Sequence, residues 1–126
     1  MGINKSVLVV DDSRLSRIMI TSIVQGSFPE WTVHEAANGQ EAIDVAKTNQ
    51  IDFVTLDLNM PVMSGLEAAP ELLDLNPDIK IALLTANIQS STQEQMKILG
   101  IDFIPKPISG DKVLAFLGWE KIRSAI

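Results

Sequence analysis

An α/β fold, a doubly wound sheet of five parallel strands with helices on both faces, is predicted by two features of the sequence. Five short apolar or β-branched runs, at residues 7–10, 31–33, 53–56, 79–84 and 101–104, alternate with amphipathic stretches that open on helix-start signals. The runs at 7–10, 53–56 and 81–84 carry no charge on consecutive positions, as strands covered on both faces require. At 126 residues the chain has room for one core, and we expect a single domain over 1–126.

Each element has its own justification. Ser13 or Asp12 can cap a first helix with Leu15, Ile18, Met19 and Ile23 at helical spacing, ended by Gln25, Gly26 and Pro29. Asn38 and Gly39 precede a second helix carrying Ala42, Ile43 and Ala46 on one face. Ser64 with Glu67 forms a capping box for a third, and Ser91 with Glu94 repeats the device for a fourth. A fifth helix can start at Ser109 and carries Val113, Leu114, Phe116 and Leu117. Two positions are awkward. An interior proline costs about 3 kcal/mol, so the third helix either kinks at Pro70 or begins there. Gly118 lies inside the fifth pattern, at up to about 1 kcal/mol against Ala.

Composition narrows the function. There is no cysteine, which excludes disulfides, thiolate metal sites and cysteine nucleophiles. The net charge of −6 argues against nucleic acid and against anionic membranes. No secretory leader and no apolar stretch of membrane-spanning length is present, so the expected compartment is the cytoplasm. No glycine-rich phosphate loop or dinucleotide fingerprint occurs, and Pro61 and Val62 exclude a calcium loop beginning at Asp57.

The informative polar residues follow the apolar runs: Asp11 and Asp12 after the first, Asp57 after the third, Thr85 after the fourth and Lys106 just beyond the fifth. Each sits at a strand's carboxyl end, where an open α/β sheet places its ligand crevice. Three carboxylates brought together repel one another unless a cation intervenes. Mg2+, which favours oxygen ligands and waters, suits Asp12 and Asp57 directly and Asp11 through water. A lysine and a threonine hydroxyl beside such an ion suit phosphoryl oxygens. Taken singly these residues have plainer readings: Asp12 as a helix cap, Thr85 as a strand-end hydroxyl, Lys106 as a solvated charge, Phe103 as core, Asn59 as turn chemistry. His34 reads as an edge-strand surface residue, Met60 and Met63 as packing, and Trp31 and Trp119 lie outside the inferred site.

These pieces, in order, resemble the receiver domains of two-component response regulators, in particular the single-domain chemotaxis type, the CheY-like proteins. The resemblance rests on Val9-Val10-Asp11-Asp12-Ser13, Asp57-Leu58-Asn59-Met60-Pro61 with Met63 and Gly65, Thr85-Ala86, and Lys106-Pro107. It implies a flavodoxin-like sheet of order 2-1-3-4-5. It implies that Asp57 accepts a phosphoryl group from a sensor kinase phosphohistidine. Asp11, Asp12, Asp57 and the backbone carbonyl of Asn59 would hold Mg2+, and Lys106, with a cis peptide before Pro107, would pair with the acyl phosphate. Thr85 and Phe103 would be the switch, Phe103 standing where relatives often carry Tyr. Asn59 and Asn87 would flank attacking water, and neither is a carboxylate base, so unassisted hydrolysis of moderate rate is expected. The output face would be the fourth helix, fifth strand and fifth helix, read by a downstream protein target; a monomer is expected, with dimerisation on phosphorylation left open.

Two other classes remain as rivals. A Mg2+-dependent aspartyl-phosphate phosphatase of the haloacid-dehalogenase kind wants a second acid two residues after the nucleophile, where this chain has Asn59. A phosphorylation-independent adaptor would have no need of Asp57, Thr85 and Lys106 together.

Overall fold

The computed structural model describes residues 4–86 and 89–118, so Asn87 and Trp119 lie outside the described residues. Ten elements alternate along the chain: β1 (Ser6–Val10), α1 (Arg14–Ser27), β2 (Thr32–Ala36), α2 (Gly39–Thr48), β3 (Phe53–Asp57), α3 (Gly65–Leu75), β4 (Lys80–Thr85), α4 (Ser90–Ile98), β5 (Asp102–Pro105) and α5 (Gly110–Phe116). All strands pair in parallel, in the order β2-β1-β3-β4-β5. The order reverses at β1, which has β2 on one side and β3 on the other, so the crevice opens between the carboxyl ends of β1 and β3.

Alternate residues of each central strand feed two cores. Leu8, Val10, Val54, Leu56, Ile81 and Leu83 pack with Ala42, Ile43, Ala68, Ala69, Leu72 and Met96 from α2, α3 and α4. Val7, Val9, Ala82, Leu84 and Ile104 pack with Ile20 and Val24 of α1, Val113 of α5 and Leu117 just beyond it. The second core ends in an aromatic stack: Phe28 lies on Trp31 at 3.7 Å between centroids, Trp31 on Phe53 at 5.7 Å, and Phe53 meets Phe116 edge-on at 5.6 Å.

Several expectations need correction. In α1 the buried residues are Ile20 and Val24, while Leu15, Ile18 and Met19 point outward at 67%, 50% and 43% exposure. The helix carries apolar residues on two sides, and its phase is set by the short connection from β1, with Ser13 capping Ser16 N–H at 3.3 Å. β2, β4 and β5 start one residue after the apolar runs do, and β3, β4 and β5 each end one residue beyond them, where Asp57, Thr85 and Pro105 close the ladders. Trp31 precedes β2 rather than opening it. α3 has its capping box from Ser64 and Glu67, and it continues through Pro70 rather than beginning there. The ring nitrogen has no proton for the Leu66 carbonyl, and the buried faces of Ala68, Ala69 and Leu72 offset that loss. α4 begins at Ser90, with Gln89 rather than Ser91 in the N-cap position and no side-chain cap. Gly118 is not inside α5. Its φ of +81° and its N–H to the Ala115 carbonyl at 3.2 Å make it the left-handed residue that stops the helix.

Candidate functional site

The strand ends bring the acidic residues together. Asp57 is the last residue of β3, Asp11 follows β1 directly, and Asp12 is next. One oxygen from each of the three carboxylates lies within 4.8 Å of the others. Asp11 and Asp57 are buried, at 2% and 4% exposure, and Asp12 opens to solvent. From the other side Lys106, just past β5, donates Nζ to Asp57 Oδ1 at 2.9 Å. Its backbone N–H bonds the carbonyl of buried Thr85 at 2.9 Å, which fixes the β5 end beside β4. The Lys106–Pro107 peptide bond is cis.

Close packing places Asp57 along the crevice. Leu58 N–H bonds the Leu84 carbonyl and Gly65 N–H bonds the Leu58 carbonyl, both at 3.0 Å. That turn brings the start of α3 so near β3 that a Cβ on Gly65 would overlap the Asp57 carbonyl oxygen. The intervening loop contains Val62 at φ 69°, a left-handed conformation that β-branched residues rarely take. Asn59 lies exposed in the same loop, two residues after Asp57.

Asp11 is the most constrained member. Its N–H bonds the Ala36 carbonyl at 3.1 Å, and its Oδ1 accepts Ser13 N–H at 2.9 Å. Its carbonyl accepts Nη1 of Arg17 at 2.7 Å, and Arg17 Nε in turn reaches Glu35 Oε1 at 3.1 Å. Burial pushes the Asp11 carboxyl above the usual carboxylate range; the Ser13 N–H opposes this and the Asp57 charge adds to it. Lys106 is raised above the usual lysine range, first by its hydrogen bond to Asp57, with burial acting the other way.

The donor set fits a hard divalent cation. Asp11 Oδ2 is buried with no hydrogen-bond partner among the described residues, an arrangement that costs free energy unless a cation meets it. Two further carboxylates face the same space, and no nitrogen or sulfur donor belongs to the cluster. Phe103, three residues before Lys106, is half-buried on β5, paired in register with Leu83 and packed against the α2–α4 side of the core. His34 is half-buried on the edge strand β2 and is not part of the cluster. The sequence reading missed Arg17 and the contact role of Gly65. The signal for Arg17 was a charged residue in phase with Ile20 and Val24 on the inward face of α1.

An open 2-1-3-4-5 sheet with an acidic cluster and a paired lysine at its carboxyl edge defines a class, and comparison with known proteins agrees. The chain belongs to the response regulator receiver domain family, which it matches over residues 7–117. Within that family it is a receiver of CheY type. It is 36% identical to the chemotaxis protein CheY of Thermotoga maritima over 114 residues, covering 90% of this chain and 94% of that protein. It is 39% identical to a protein-glutamate methylesterase/protein-glutamine glutaminase of Paramagnetospirillum magneticum over 106 residues, 82% of this chain. The chain spans 28% of that relative's length. A solved CheX–CheY–BeF3–Mg2+ complex from Borrelia burgdorferi superposes with a TM-score of 0.83 at 30% identity, covering 92% of this chain and 88% of that one. Receiver domains of this family bind Mg2+ at such an acidic pocket, and they work in two-component signalling. Among the described residues no helix is long and apolar enough to cross a membrane.

Proposed function

We propose that residues 1–126 form a single receiver domain, in the cytoplasm, which takes a phosphoryl group from a sensor kinase phosphohistidine onto Asp57. The observation that carries the reading is the buried Asp57 carboxylate, held by Lys106 at 2.9 Å and flanked by Asp11 and Asp12 within 4.8 Å. A carboxylate oxygen of Asp57 attacks phosphorus in line, the bond from phosphorus to the imidazole nitrogen breaks, and the electron pair leaves with the imidazole. Asp11, Asp12, Asp57 and the backbone carbonyl of Asn59 would hold Mg2+, which when bound neutralises phosphoryl oxygens and relieves the repulsion among the carboxylates.

The protein's own groups do the rest. Lys106 is already at the acceptor carboxylate and supplies a positive charge to the developing acyl phosphate. Thr85, at the end of β4, turns its hydroxyl to the phosphoryl group, and Phe103 repacks inward by rotamer. Together they bias a two-state face built from α4, β5 and α5 toward its partner-binding form. The chain therefore acts as a phosphoacceptor in chemotaxis or related signalling, with a kinase as donor and a downstream protein as target, rather than as a multiple-turnover enzyme. Neither Asn59 nor Asn87 has a carboxylate that could serve as a general base, so the signal decays by unassisted hydrolysis at a moderate rate.

Intact-mass measurement after incubation with acetyl phosphate tests this. One added phosphoryl group is expected in the wild type with Mg2+, and none without Mg2+ or in Asp57→Asn. Steady phosphate release from a phosphomonoester would instead favour the phosphatase, and absence of any adduct despite Mg2+ binding would favour the adaptor.

A further inference from the structure

Asp11 is held at three points. Two of them, the Ala36 carbonyl on its N–H and the Ser13 N–H on its Oδ1, use only backbone groups of its neighbours. The third is a side chain: Arg17 Nη1 on the Asp11 carbonyl at 2.7 Å. Together they leave Oδ2 buried and unpaired, in a carboxylate of which one oxygen lies within 4.8 Å of the other two carboxylates. The guanidinium is itself fixed from the edge strand, where Glu35, opposite Val9 in the ladder, accepts Nε at 3.1 Å. A single planar group thus joins the end of β1, the inward face of α1 and β2. A surface ion pair would leave the arginine in solvent, whereas its side chain is only 17% exposed, against 49% for Glu35.

The charge of Arg17 raises a second point. A cation this close to a dication site would weaken metal binding by repulsion unless it were neutralised. Glu35 supplies the neutralising charge at the guanidinium itself. We infer that Arg17 is a positioning residue for the divalent cation, acting through the Asp11 backbone, and that Glu35 orients it and offsets its charge. This rests on the reading of the acidic cluster as a Mg2+ site. The two ways Arg17 can act have opposite signs. As a mere opposing charge, its removal tightens Mg2+ binding; as a positioning group, its removal weakens it.

Calorimetric titration of the full chain with Mg2+, in the wild type, Arg17→Ala, Arg17→Lys and Glu35→Gln, separates them, with circular dichroism confirming the fold of each. Loss of an outer-shell partner typically costs about 10- to 100-fold in metal affinity, and that range is expected for Arg17→Ala. Arg17→Lys recovers part of the loss, since one ammonium keeps the charge without spanning both partners. Glu35→Gln also weakens binding, and Arg17→Lys keeps the test sound if Arg17→Ala folds poorly, because a mere opposing charge predicts unchanged affinity for it. In acetyl phosphate labelling, Arg17→Ala raises the half-saturating Mg2+ concentration while the rate at saturating Mg2+ stays close to wild type. Unchanged or tighter Mg2+ binding in Arg17→Ala overturns the inference, as does a fall in the saturated rate at unchanged affinity. A wild-type chain that binds no Mg2+ overturns the underlying metal reading as well.

Discussion

Substituting Ala for Gly65 puts the seating of the phosphoacceptor strand to a quantitative test. The new Cβ would overlap the Asp57 carbonyl oxygen and lie 2.9 Å from Leu83 Cδ2 and 3.1 Å from Leu58 Cα. Two of these three neighbours are backbone atoms, and Leu83 is fully buried, so the strain can relax only by moving α3 away from β3. Overpacking of this kind costs about 1–3 kcal/mol, and the backbone contacts put it near the upper end. Ala regains about 1 kcal/mol through helix propensity and a less mobile unfolded chain. The net loss is about 2 kcal/mol, a fall in Tm of roughly 6–12 °C for a domain of this size. Gly26, in α1 with nothing within 4 Å of its Cβ position, is the control, and Gly26→Ala should stabilise by about 0.5–1 kcal/mol. Thermal and urea unfolding of both variants measure the difference, and acetyl phosphate labelling of Gly65→Ala should be slowed because Asp57 moves with its carbonyl. A Gly65→Ala protein as stable as the wild type, labelled at the wild-type rate, would refute the packing argument.

Three further predictions concern the same edge. Val62→Asn, at an exposed left-handed position that Asn tolerates, should raise stability by about 1 kcal/mol in urea unfolding. Lys106 has a folded pKa above its usual 10.5, so the stability it contributes is complete below that pH and lost as pH rises through the folded value. Unfolding midpoints compared at neutral pH and above 10.5 should show this loss in the wild type and not in Lys106→Met. Asp11 has the same direction in an acidic window: its folded pKa lies above the usual 3.8, chiefly through burial, so the fold loses stability as pH rises through that window and the carboxyl ionises. Asp11→Asn should therefore be more stable than wild type at neutral pH in the presence of a chelator, and should lose Mg2+ binding in titration calorimetry.

Much of this architecture was legible in the sequence, for a physical reason. Strands buried on both faces must be continuously apolar, so residues 7–10, 53–56 and 81–84 announced themselves, and the first polar residue after each run marked the crevice. The capping box of α3 and the Asn38 and Ser109 caps were readable because a short side chain and a backbone N–H three residues later form a local pair. What depends on long-range packing was not readable. The α1 sequence offers two apolar stripes, and only the sheet decides that Ile20 and Val24 face inward while Leu15 and Ile18 do not. Ser91 and Glu94 have the spacing of a cap, yet α4 begins ahead of them at Ser90, outside the reach of their pairing. Gly118 read as a costly helix residue, and its positive φ makes it the stop. The phase of Arg17 with Ile20 and Val24 marked it only as an inward charge, because its two partners, Asp11 and Glu35, meet only when β1 and β2 pair.

The central claim is that Asp57 itself becomes an acyl phosphate. Borohydride reduction after acetyl phosphate treatment in Mg2+ converts such a residue to homoserine, which peptide sequencing by mass spectrometry locates. Homoserine is expected at position 57 alone and absent without Mg2+. Homoserine at Asp11 or Asp12, or at position 57 regardless of Mg2+, would contradict the claim.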